Sequence, residues 1–238
     1  MPTNSDCCQR WSWISGPSDT NSPNTANDPG ARNGAVGCQI NSSLYLFGGT
    51  NSDSAFFNDL WVYNISQNTW TWLAGSNNTN DFSNVGQPAS RMAGTLWTYN
   101  DVLYLFGGFN PNGYYSDLWT YYSYWSQVPQ HPNSPIPVPR GGATNWQIGS
   151  DLYLFGGVSS ISDGGRVNDL WRYNVNTRTW TLLSGSTLVN QFGSYGIQYV
   201  AASDNQPGAR SGALGWVVSA GKEVVLVSNP VAGTHEYV

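Results

Sequence analysis

At 238 residues the chain is long enough for one sizeable core, yet only 10% of its residues are Asp, Glu, Lys or Arg, against about 25% in ordinary soluble domains. Its net charge of -5 and pI near 4.7 argue against nucleic acid, whose phosphates call for a basic patch, and no apolar run approaches the ~18 residues of a membrane span. Asn, Ser, Thr, Gly and aromatics replace the missing charge at a mean hydropathy of -0.36, a neutral hydrogen-bonding surface that points to an extracellular or secretory-pathway setting.

The start, Met1–Asp6, is polar and no apolar stretch follows, so a secreted chain would have lost its leader. Cys7, Cys8 and Cys38 are three, so at most one internal pair forms. Cys38 with Cys7 or Cys8 is the candidate disulfide, because pairing of adjacent cysteines departs from the usual geometry. Next comes Trp11-Ser12-Trp13-Ile14-Ser15-Gly16, which matches Trp70-Thr71-Trp72-Leu73-Ala74-Gly75 and Trp180-Thr181-Leu182-Leu183-Ser184-Gly185. It reads as an outermost strand.

Three full repeats follow. Each opens on an arginine among small residues: Ala31-Arg32-Asn33-Gly34, Ser90-Arg91-Met92-Ala93 and Pro139-Arg140-Gly141-Gly142. Each continues into Leu-Tyr-Leu-Phe-Gly-Gly, at 44–49, 103–108 and 152–157. Then come Asp59-Leu60-Trp61-Val62-Tyr63, Asp117-Leu118-Trp119-Thr120-Tyr121 and Asp169-Leu170-Trp171-Arg172-Tyr173, closed by Trp70, Trp125 and Trp180. The spacing predicts four short strands per unit, a to d: a glycine-rich strand a, a fully buried strand b ending in Gly-Gly, strand c on Asp-Leu-Trp, and strand d on the last tryptophan. Asparagine turns join c to d. A fourth unit begins at Pro207-Gly208-Ala209-Arg210-Ser211-Gly212, with Glu223–Val227 as its strand b. Ser228-Asn229 then stands in place of Gly-Gly. The tail over 219–238 diverges and holds the only lysine, Lys222, and both glutamates, Glu223 and Glu236.

These motifs, with a period near 50 residues, resemble the kelch-repeat β-propellers, including the kelch-type central domain of galactose-oxidase-like proteins. The resemblance implies an all-β fold of four-stranded antiparallel blades, at about 32–73, 91–128 and 140–183, in one domain over 1–238. The fourth blade, 210–238, is either shared between the termini, with 10–14 supplying its last strand, or left incomplete in a piece of a larger propeller. An open ring would expose strand edges and invite self-association.

The same resemblance places Arg32, Arg91, Arg140 and Arg210 near the axial mouth, where guanidinium forks suit carboxylates. The other reading is that arginine bonds to neighbouring carbonyls in every blade. Asp59, Asp117 and Asp169, one per blade, read as structural, capping turns or pairing with the repeat arginine. Phe56, Phe57, Tyr114 and Tyr115 precede strand c on loops, where aromatics suit sugar stacking or a protein hot spot, or pack against the next blade. The 184–208 loop is long enough to be functional. Asn41, Asn64 and Asn77 are sequons in expected turns or loops. No metal, cofactor or catalytic set is expected: copper-radical oxidases need two histidine ligands and a crosslinked cysteine, while His131 lies in a proline-rich loop, His235 in the tail and the cysteines near the amino end. The chain reads as a non-enzymatic module binding a protein or glycan; the alternatives are a non-catalytic propeller piece of a larger secreted enzyme, or a structural protein assembling edge to edge.

Overall fold

Strands form where aromatic and β-branched residues run between asparagine and glycine turns. The computed structural model describes residues 22–23, 25–76, 78–131, 134–159, 164–198, 200, 202–218 and 223–227, and among them there is no helix. The first blade is the antiparallel meander β1 (Val36–Ile40), β2 (Ser43–Phe47), β3 (Leu60–Asn64) and β4 (Thr69–Ala74). The second is β5 (Thr95–Tyr99), β6 (Val102–Phe106), β9 (Leu118–Tyr121) and β10 (Trp125–Gln127), with a small hairpin, β7 (Phe109–Asn110) and β8 (Gly113–Tyr114), in its b–c loop. The third is β12 (Thr144–Ile148), β13 (Asp151–Phe155), β15 (Leu170–Asn174) and β16 (Thr179–Ser184). β17 (Leu214–Val218) and β18 (Glu223–Val227) pair as the first two strands of a fourth unit. The all-β, blade-built fold class is therefore present. The segment 10–14, the tail beyond 227, Cys7, Cys8, Asn77 and His235 lie outside the described residues.

Strand a sits a few residues later than the repeat pattern predicts. The Arg-Gly stretch does not itself enter the four-stranded ladder. It pairs with the segment just past Gly-Gly, through Asn33–Thr50, Met92–Phe109, and β11 (Arg140–Gly141) against β14 (Val158–Ser159). The ladder starts only at Val36, Thr95, Thr144 and Leu214.

The core lies between blades. Phe47 of the first blade meets Trp125 of the second, ring centroids 5.3 Å apart. One repeat on, Phe106 meets Trp180 at 5.1 Å. Within each blade the strand c tyrosine packs on the closing tryptophan: Tyr63–Trp70, Tyr121–Trp125 and Tyr173–Trp180. One apolar cluster joins Phe47 and Leu60 to Leu96, Leu103, Leu105 and Trp119. Another joins Trp97, Tyr104 and Phe106 to Leu152, Leu154 and Trp171. The second blade thus presents one face to each neighbour, and its strand b is apolar on both sides.

The Gly-Gly pair explains the close approach. Gly48, Gly107 and Gly156 have φ of 66°, 67° and 68°. A Cβ there would lie 2.5, 2.7 and 2.6 Å from the carbonyl oxygens of Arg91, Arg140 and Arg210 in the next blade. The second glycine then donates its N–H to that same carbonyl, Gly49 to Arg91, Gly108 to Arg140 and Gly157 to Arg210. Only a residue without Cβ permits both.

Candidate functional site

Each complete blade builds the same buried ion pair. Arg91 donates from Nη1 to Asp117 Oδ1 at 2.6 Å and from Nη2 to Oδ2 at 3.0 Å. Its remaining hydrogen bonds reach the carbonyls of Gly107 and Ala89 and the Asn84 side chain. Trp119 Nε1 donates to Asp117 Oδ2 at 2.8 Å. The same set recurs as Arg32–Asp59–Trp61 and Arg140–Asp169–Trp171. Arg91 and Arg140 are 1% exposed and Asp169 not at all. Burial by itself would raise the Asp117 carboxyl, but the Arg91 guanidinium, with Trp119 and Asn84, holds it below the ordinary carboxylate range. These guanidinium groups are engaged inside their own blades by bidentate pairing. Arg210, also buried, donates to the Gly208 carbonyl and the Tyr195 hydroxyl.

The aromatic candidates fall into place around these pairs. The Arg32 guanidinium lies over the Phe57 ring at 4.5 Å and that of Arg91 over the Tyr115 ring at 3.9 Å. Phe56 packs edge-on against Phe82. Phe56 and Phe57 are buried, so of the two readings open for them the packed one describes their place: the tight turn after Gly-Gly folds them back onto the blade. Tyr114 and Tyr115 are half-buried, Tyr114 on Phe109 and Tyr115 with its hydroxyl bonded to Asn110.

Three four-stranded antiparallel blades carry one Arg–Asp–Trp set each, with Gly-Gly junctions between successive units. The model of the KLHDC2/KLHL20/DRC7 Kelch-repeats domain matches residues 10–135 and again 87–204. The chain belongs to the kelch-repeat family. Tip elongation aberrant protein 1 of Schizosaccharomyces pombe is 39% identical over 168 residues, 67% of this chain, and the chain spans 14% of that relative's length. Kelch membership implies a protein-binding scaffold role.

In kelch blades the b–c and d–a loops gather at one end, and here paired asparagines clasp them together. Asn80 N–H donates to the Phe56 carbonyl while Asn80 Oδ1 accepts from Phe56 N–H. Asn190 does the same with Arg166. This end displays Val85, Leu188, Phe192, Ile197 and Val200 to solvent, Phe192 at 97%. Of these, sequence reasoning marked only the loop from 184 to 208. It also missed Asn58 and Asn168, which bridge the d–a loops through Ser76 and Pro88, and Ser186 and Pro207; their signal was the repeated Asn-Asp dipeptide.

The other candidates scatter. Cys38 bears a free thiol; its side chain packs into the cluster between the first two blades, and burial pushes it up to about 12. Its two candidate disulfide partners, Cys7 and Cys8, lie outside the described residues. Asn41 is exposed in the β1–β2 turn, and Asn64 Oδ1 caps the turn amides of Ser66 and Gln67. Asp59, Asp117 and Asp169 occupy separate blades, and among the described residues no three His, Cys, Asp or Glu side chains gather as a metal site would require.

Proposed function

We propose that this kelch chain is a non-enzymatic recognition scaffold whose b–c and d–a loop end holds a partner protein. The observation that carries this reading is the cluster of exposed apolar side chains there, Phe192 and Ile197 foremost, on loops clasped to rigid blades. Large apolar groups ringed by Ser, Asn and Gln suit the centre of a protein contact. A single domain over 1–238 and an extracellular or secretory setting belong to the same proposal; the continuous repeat supports the first, and the low charge with an exposed Asn41 sequon the second.

The test is affinity capture on immobilised chain, quantified by mass spectrometry, with the Phe192→Ser/Ile197→Ser variant alongside. A protein held by the native chain and lost from the variant, at unchanged melting temperature, is expected. Identical captured sets on both would sink the reading. A carbohydrate array run in parallel separates glycan recognition from protein recognition.

A further inference from the structure

The second blade departs from the repeat at its c–d hairpin. Six residues separate Tyr63 from Trp70 and Tyr173 from Trp180, but only three separate Tyr121 from Trp125. The outer strand shortens with the turn: β10 has three residues, where β4 and β16 have six. The shortening leaves a cleft of about 380 Å³ along β10 against the third blade, lined by Tyr104, Tyr122, Tyr124, Gln127, Tyr173 and Arg178 among others.

Two substitutions inside this cleft run against local preference. The other c–d turns are built on Asn64 and Asn174, whose Oδ1 atoms accept turn amides. The short turn instead displays Tyr122 and Tyr124, 74% and 73% exposed, which the hairpin itself does not need. Arg178 has φ 58°, the left-handed position that Asn68, φ 54°, fills in the first blade. Asparagine tolerates that conformation and arginine gains nothing from it. The Arg178 guanidinium is close enough to act electrostatically on the Tyr104 and Tyr173 hydroxyls, and among the described residues no carboxylate forms an ion pair with it.

We propose that this cleft is a binding site, separate from the loop end and not resting on it, for an extended proline-rich peptide that carries an acidic side chain. Such a peptide presents backbone carbonyls and flat proline rings, which call for a row of aromatic faces with hydroxyl donors. Tyr122 and Tyr124 supply the faces; the tyrosine hydroxyls and Gln127 supply donors. Arg178 supplies the fork for a carboxylate.

The chain's own proline-rich stretch borders the same wall: Pro129 and Ile136 lie against Tyr173, Arg178 and Trp180 around a gap of about 20 Å³, Ser134 Oγ donates to the Trp180 carbonyl, and Ile136 packs on the core. Tyr173 and Arg178 thus line both the cleft and the border of this stretch.

The test is fluorescence anisotropy on the full chain with a labelled synthetic oligoproline peptide bearing one central glutamate, and with its glutamine counterpart. The native chain is expected to bind the glutamate peptide saturably. Tyr122→Ser/Tyr124→Ser should weaken it by at least about tenfold. Arg178→Asn should erase the preference for glutamate over glutamine while keeping the melting temperature, since asparagine suits the left-handed position. Phe192→Ser/Ile197→Ser should leave binding unchanged. No saturable binding by the native chain, or equal affinity in the tyrosine variant, overturns the proposal, as does an oligosaccharide that occupies the cleft in the peptide's place.

Discussion

Arg91 and Asp117 show why the same two ionic residues recur in every complete blade. Two charges taken out of water cost several kcal/mol each, and bidentate pairing with further hydrogen bonds offsets that. What remains is a geometric lock: the pair ties the hinge before strand a to the Gly107 carbonyl and to the start of strand c. Asp117→Asn should therefore cost about 3–5 kcal/mol, because it leaves a buried guanidinium uncompensated. Urea unfolding at neutral pH measures it. The Asp117 carboxyl is held below its ordinary range in the folded chain, so as pH drops the unfolded chain takes up the proton first. Its contribution is full at neutral pH and fades as pH falls below about 4. The gap between native and Asp117→Asn should narrow over that acid range; a gap constant with pH would show that the charge of Asp117 is not what stabilises. The repeated arginine and aspartate were legible one residue at a time. Their pairing across 26 residues of chain was one of two readings left open until the Arg-Gly hinge and the start of strand c were seen side by side.

At the scale of the element, the blade was legible and its joints less so. Strands b, c and d were readable because an apolar run, an Asp-Leu-Trp segment and a tryptophan each carry their own periodicity. Strand a was placed too early, since Arg-Gly-rich stretches look like the start of a strand but serve as the hinge clamped by the preceding blade. Gly107 measures the tightness of that clamp. Gly107→Ala places a Cβ at positive φ and 2.7 Å from the Arg140 carbonyl, so a loss of more than about 2 kcal/mol is expected. An Ala variant with native stability in thermal unfolding would mean the blades can move apart. Phe56 and Phe57 stayed open between two readings at the same joint: a loop aromatic is free or buried according to where the chain folds after Gly-Gly, and nothing local states that.

For the whole molecule the open question is the fourth unit. Thr95 and Thr144 open their strands a buried, and the Thr144 hydroxyl donates to the Ala213 carbonyl of the next unit. Leu214 opens β17 at the same register, opposite Val227 as Thr144 is opposite Phe155, yet it is 60% exposed. A leucine in that place asks for another inner strand against it. Light scattering over a range of concentrations is expected to show mass rising with concentration, and Leu214→Ser to suppress the rise. A mass that stays monomeric at every concentration would mean that one chain covers this face itself.

The repeat, its four-strand unit and its kinship were determined by sequence alone, because each blade restates the same apolar and glycine pattern and repetition makes a weak local signal strong. Where the blades meet was decided by tertiary structure: which arginines are engaged, which aromatics are buried, and where a shortened hairpin opens a cleft. Those outcomes depend on contacts between residues tens of positions apart, and local periodicity holds no record of distance.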